Sequence, residues 1–123
     1  MLKNLSILLC FPYSIALTFF SLTKVDALLE KLPSVSDKIM HAGAHFIFVM
    51  LWFAFLHYKQ NVKYPKALGI TTLLSLLYGI LIEVLQAHLT LNRFGDVADV
   101  CANGIGMVLA ALSIIVYKTH VKL

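Results

Sequence analysis

"DKIMHAGAHFIFVMLWFAFLHYK", residues 37–59, decides the fold. It opens with an acid, a lysine and two histidines and then turns almost wholly apolar. A helix needs ~20 such residues to cross ~30 Å of hydrocarbon. Taken as a span over about 38–58, the stretch has company: similar runs lie at about 4–23, 66–88 and 97–117. In lipid every backbone polar group must be paired within the chain, which leaves helices or closed barrels. Runs of this length read as helices. The expectation is an all-α, four-helix transmembrane bundle, one domain over residues 1–123.

Composition agrees. The chain is 60% hydrophobic and 13% charged, against roughly 25% charged in soluble domains. Its net charge of +4 does not point to nucleic acid, because the lysines fall between apolar runs and form no patch on a polar face. Cys10 and Cys101 both lie inside apolar runs and read as packing residues. The first run is expected to be a retained helix, since it is long for a signal peptide and no A-x-A site follows it. Pro12 is expected to kink it. A brief amphipathic turn is expected in "KVDALLEKLPSVSD" before Pro33.

Charge sets the orientation. With four spans, Lys3, Lys59, Lys63, Lys66, Lys118 and Lys122 share one side, and Lys24, Lys31, Lys38 and Arg93 share the other. Six basic residues against four place both termini in the cytoplasm by the positive-inside rule. Tyr58, Tyr64 and Tyr117 fit an aromatic belt there. All six acids, Asp26, Glu30, Asp37, Glu83, Asp96 and Asp99, fall on the opposite side.

That opposite side gathers the candidate site. Span two begins there, span three ends there and span four begins there. They bring Asp37, Lys38, His41 and His45; Glu83, Gln86 and His88; and Arg93, Asp96, Asp99 and Asn103. Steps of three and four put Asp37, His41 and His45 on one helix face, and Asp96, Asp99 and Asn103 on another. At 1.5 Å per residue, His41 lies about 6 Å inside Asp37 and Asn103 about 10 Å inside Asp96. Ionisable groups at such depth face other helices and are functional candidates by default. Small residues at Ala98, Ala102, Gly106 and Ala110, and at Ser75 and Gly79, allow close helix approach beside these faces. The other half of the bundle should be sealed by Leu, Ile, Phe and Trp52.

Each group has a plainer reading as well. Asp37 suits a helix cap. Glu83 has no charge near it in sequence and calls for a partner such as Lys38 or Arg93. Asn103 suits helix-to-helix hydrogen bonding. His57 and His88 suit the interface, and His120 the tail. His41 and His45, four apart, present two nitrogens, and Glu83 or Asp99 could complete a zinc-like set. No third ligand is fixed by spacing, so no metal and no cofactor is expected.

"DKIMH", "IEVLQ" and "RFGDVADVCANGIG", each at the end of its span, resemble the VanZ-like family over roughly Asp37 to Ala110. These are small bacterial membrane proteins named after an accessory factor in teicoplanin resistance. The pattern matches Asp37, Lys38, His41, Glu83, Gln86, Arg93, Asp99, Asn103 and Gly106, while His45 departs from it. The resemblance implies a polytopic protein of the bacterial inner membrane and carries no settled reaction.

The functional expectation is recognition of an anionic envelope lipid or cell-wall precursor at the outer polar mouth, with a link to glycopeptide tolerance. Lys38, Arg93, Gln86 and Asn103 are the expected ligand-binding residues. His41, Glu83 and Asp99 are the expected acid–base groups. The alternatives are a membrane-embedded enzyme on a lipid-linked substrate, or a small structural or transport partner. Whether catalysis occurs stays open at this point. The expected partners are the bilayer, such a lipid or precursor, and further copies of the chain.

Overall fold

A computed structural model of the chain describes residues 2–23, 34–89 and 96–121. Arg93 and the amphipathic turn expected before Pro33 lie outside the described residues. Four helices account for the described structure: α1 Leu2–Leu22, α2 Ser34–Ala54, α3 Tyr64–Leu89 and α4 Val97–Val121. All four are long and apolar enough to cross a membrane. No strand occurs among the described residues.

The ends follow from local chemistry. α1 runs unbroken through Pro12, and Ser14 and Thr18 return their hydroxyls to the carbonyls of Cys10 and Ser14. α2 begins at Ser34, so Asp37 lies within its first turn and favours the helix dipole. It is not the cap that the sequence suggested.

Beyond Ala54 the helix widens into a π-helical stretch, Phe55–Lys59. Asn61 then takes a left-handed backbone with φ 55°, a conformation Asn tolerates better than most side chains. The reversal is fastened by Val62 N–H on the Leu56 carbonyl (2.9 Å) and by His57 Nδ1 donating to the Val62 carbonyl (2.9 Å). His57 therefore closes a loop. Pro65 opens α3 in its first turn, where a missing N–H is tolerated. Asp96 caps α4, its Oδ1 accepting from Ala98 N–H at 2.8 Å. That helix continues to Val121, so His120 is helical.

α2 packs against the three other helices, most extensively on α4, and α3 also packs on α1 and α4. Where lipid surrounds the chain, close packing and interhelical hydrogen bonds replace the hydrophobic effect. Gly106 marks the nearest approach of α2 and α4, since a Cβ there would overlap the backbone carbonyl of Ala42. Ala102, Gly106 and Ala110 are buried in line, while Ala98 is exposed and outside the stripe. α1 is tied on by Tyr13 Oη to the Ala44 carbonyl (2.6 Å), Trp52 Nε1 to Ser14 Oγ (3.0 Å) and Thr18 to Tyr78 (2.7 Å).

The interior divides along the bundle axis. Val49, Phe53, Ala67, Ala110 and Ile114 form an apolar core at the end where α3 begins. Trp52 faces α1 among Phe11, Phe48 and Phe55. Ser75, His45, Asn103, Glu83 and Gln86 are buried toward the other end. Leu8, Ile15, Leu73 and Val108 point outward, exposed to whatever surrounds the bundle. Cys10 is buried, as a packing residue should be; Cys101 is exposed, contrary to expectation.

Candidate functional site

The close contact at Ala42 and Gly106 holds α2 and α4 side by side, both starting at the polar end. One or two turns nearer that end, their charged residues meet. Lys38 Nζ bonds Asp99 Oδ1 and Asp96 Oδ2 (2.9 Å), and lies 3.7 Å from Asp37 Oδ2. The lysine thus sits among three carboxylates of its own chain. Its ammonium holds the Asp96 carboxyl below the ordinary carboxylate value, helped by the Ala98 amide.

His41 occupies the next layer. Its Nδ1 donates to Asn103 Oδ1 at 3.2 Å, which turns Nε2 toward Asp99 Oδ2 (3.5 Å) and Asp37 Oδ1 (3.7 Å). Asp37 and Asp99 therefore each share one oxygen with Lys38 and the other with His41. Asn103 bridges α4 to α2, the helix-to-helix role its position suggested.

From α3, Glu83 is 5% exposed. Its Oε2 accepts the Asp96 N–H at 3.1 Å, and its Oε1 has no hydrogen-bond partner among the described residues. Lys38, one of its two expected partners, is turned to the aspartates instead, and Arg93, the other, lies outside the described residues. Gln86 Nε2 donates to the Ser21 carbonyl of α1 at 2.7 Å.

His45 belongs elsewhere. It is buried, bonded through Nδ1 to Ser75 Oγ (2.8 Å), with its ring near Phe48 and Tyr78. Gly79 makes room for it: a Cβ there would stand 3.0 Å from His45 Cε1 and 3.0 Å from Asn103 Nδ2. The suggested His41–His45 ligand pair does not converge. His88 is exposed near the end of α3.

Among the described residues this polar end is acidic. Asp37, Asp96 and Asp99 face a single permanent cation, Lys38, and Glu83 accepts the Asp96 amide beside them. Beside them a cleft of about 140 Å³ runs between α1, α2 and α3. Asp37, His41, Gln86 and Ser21 line it with Leu17, Phe20, Met40 and Ala44. Sequence reasoning assigned nothing on α1 to the site. Ser21, close to the polar end of an otherwise apolar helix, was the available signal. Nor did it find the amide that serves Glu83, although an Asp directly before the apolar run of span four marks a capped helix start.

A protein-family model described as VanZ/LLP1 matches residues 3–118. No curated protein and no solved structure matches the chain.

Proposed function

The chain belongs to the VanZ/LLP1 family, and we propose that its polar end recognises the head group of an anionic envelope lipid or lipid-linked cell-wall precursor. In this reading it is a multi-pass protein of the bacterial inner membrane, with both termini in the cytoplasm and the polar end at the outer leaflet. The observation that carries the reading is the cleft. Its walls are apolar at Leu17, Phe20, Met40 and Ala44, and its end is polar at Asp37, His41 and Gln86. An acyl chain suits the first surface and a hydrated head group the second.

Lys38 is already balanced by Asp96 and Asp99, so its part is to order the mouth. Arg93 then carries the contact to the anion, for which its forked donors are suited. Gln86 and Asn103 position α1 and His41 around the head group. A link to glycopeptide tolerance is the cellular extension, since holding a cell-wall precursor alters what a glycopeptide meets. The test is genetic. A strain carrying only Arg93→Ala or Glu83→Gln should match the deletion strain in envelope integrity and teicoplanin susceptibility. Wild-type behaviour in both variants refutes the reading.

A second reading, an enzyme on a lipid-linked substrate, is favoured by one observation. Asn103 fixes the His41 ring with Nε2 beside Asp99, an arrangement suited to moving a proton at that nitrogen. Turnover of a lipid-linked substrate by wild type but not by His41→Gln would promote it.

A further inference from the structure

We infer that Asp37, His41 and Asp99 form a site for one divalent cation of the zinc or manganese class. One nitrogen and two carboxylate oxygens, drawn from two helices, lie within 4.8 Å of one another. The spacing is informative. His41 Nε2 stands 3.5 Å from Asp99 Oδ2 and 3.7 Å from Asp37 Oδ1. Those distances are too long for direct N–H···O bonds. They are close to the ~3.4 Å edge of a tetrahedron whose metal bonds are ~2.1 Å.

The surroundings have the form of a metal site's outer shell. A ligating histidine commonly donates its other ring nitrogen to an oxygen that fixes the tautomer. Asn103 Oδ1 accepts from Nδ1 here, leaving the Nε2 lone pair toward the carboxylates. Lys38 does not block the position, because it takes Asp99 Oδ1 and faces Asp37 Oδ2, the oxygens turned away from His41. It orients the two carboxylates.

A further buried carboxyl lies on the neighbouring helix. Glu83 is 95% buried, taking its 5% exposure from the whole, and its Oε1 has no partner among the described residues. It lies within electrostatic reach of both His41 and Asp99. Three aspartates share the one lysine among the described residues, so the cluster carries more acid than base. At membrane-interface depth such charge calls for a cation. One imidazole and two carboxylates suit zinc or manganese better than a soft, thiolate-seeking ion. Three protein ligands leave coordination positions open, and Asp37 and His41 also line the cleft. On the lipid reading, an anionic head-group oxygen would take one of them, which explains how an acidic mouth accepts an anion.

The test is calorimetric titration of the full, tag-free chain in detergent, stripped with chelator, against zinc chloride and manganese chloride at neutral pH. The expected result is one saturable ion per chain for wild type and His120→Gln. Affinity should be at least roughly ten-fold weaker in Asp37→Asn and His41→Gln. Asp37→Asn preserves shape at a half-exposed position, so it decides the matter if His41→Gln does not fold. No saturable ion, or unchanged binding in Asp37→Asn, overturns the site. That result leaves the lipid reading standing, because lipid retention is measured separately.

Discussion

Gly106 and Gly79 stand at close helix approaches that differ in what a methyl group would strike. At Gly106 it meets the Ala42 backbone, which cannot move without separating α2 from α4. At Gly79 it meets the ends of the Asn103 and His45 side chains, which can turn aside. Gly106→Ala should therefore destabilise the bundle by about 1–3 kcal/mol, the range for overpacking, and Gly79→Ala by less. Unfolding in mixed detergent micelles reads both; equal effects would contradict the geometry. Glu83 offers a sharper contrast. Glu83→Gln keeps an oxygen for the Asp96 amide and replaces a buried ionisable group by a neutral one, so stability should hold or rise. Glu83→Ala leaves that amide unmet and should cost about 1–3 kcal/mol. The same unfolding measurement checks this, and a Glu83→Gln protein as unstable as Glu83→Ala would mean that the carboxyl itself, not the oxygen it offers, holds the fold. At this scale the sequence was legible in residue type and depth. It was not legible in partner choice, because a helical step fixes a face but not what stands opposite. Lys38 found aspartates and Glu83 a backbone amide.

At the level of elements, the four helices were readable because lipid imposes length and apolarity together. The expected 97–117 became Val97–Val121 and 66–88 became Tyr64–Leu89. The start of α2 was missed by a turn because "SVSD" offers three cap-forming residues within four positions. The π-helical stretch at Phe55–Lys59 left no mark in the hydrophobic pattern. The start of α4 makes its own prediction. Asp96 caps the helix and binds Lys38, and its carboxyl is held below the ordinary value. For a depressed carboxyl, the stabilising contribution is present above the unfolded value of 3.8 and lost as pH falls through the lower folded one. The melting-temperature gap between wild type and Asp96→Asn should thus stay constant from neutral pH to mild acid. It should close only below the ordinary carboxylate range. A gap that closes near neutrality would assign the pH dependence to another group.

Across the whole molecule, the polar end and the apolar end are segregated. This was the most legible feature, since connectivity alone brings the ends of α2, α3 and α4 together. The contribution of α1 to the cleft was not, because its hydroxyls are spread through an apolar run. The opposite end carries lysines at 59, 63, 66 and 118, with Lys118 Nζ 3.8 Å over the Tyr64 ring. In the orientation proposed above, that end lies in the cytoplasm. A C-terminal green fluorescent protein fusion should then fluoresce and an alkaline phosphatase fusion stay inactive; the reverse pattern inverts the orientation. On the proposed function, the polar end selects a lipid. Native mass spectrometry of the chain released from its own membrane, wild type beside Arg93→Ala, tests it most directly. One class of anionic lipid or lipid-linked precursor should be retained by wild type and lost from the variant. The same unselective lipid on both would contradict it.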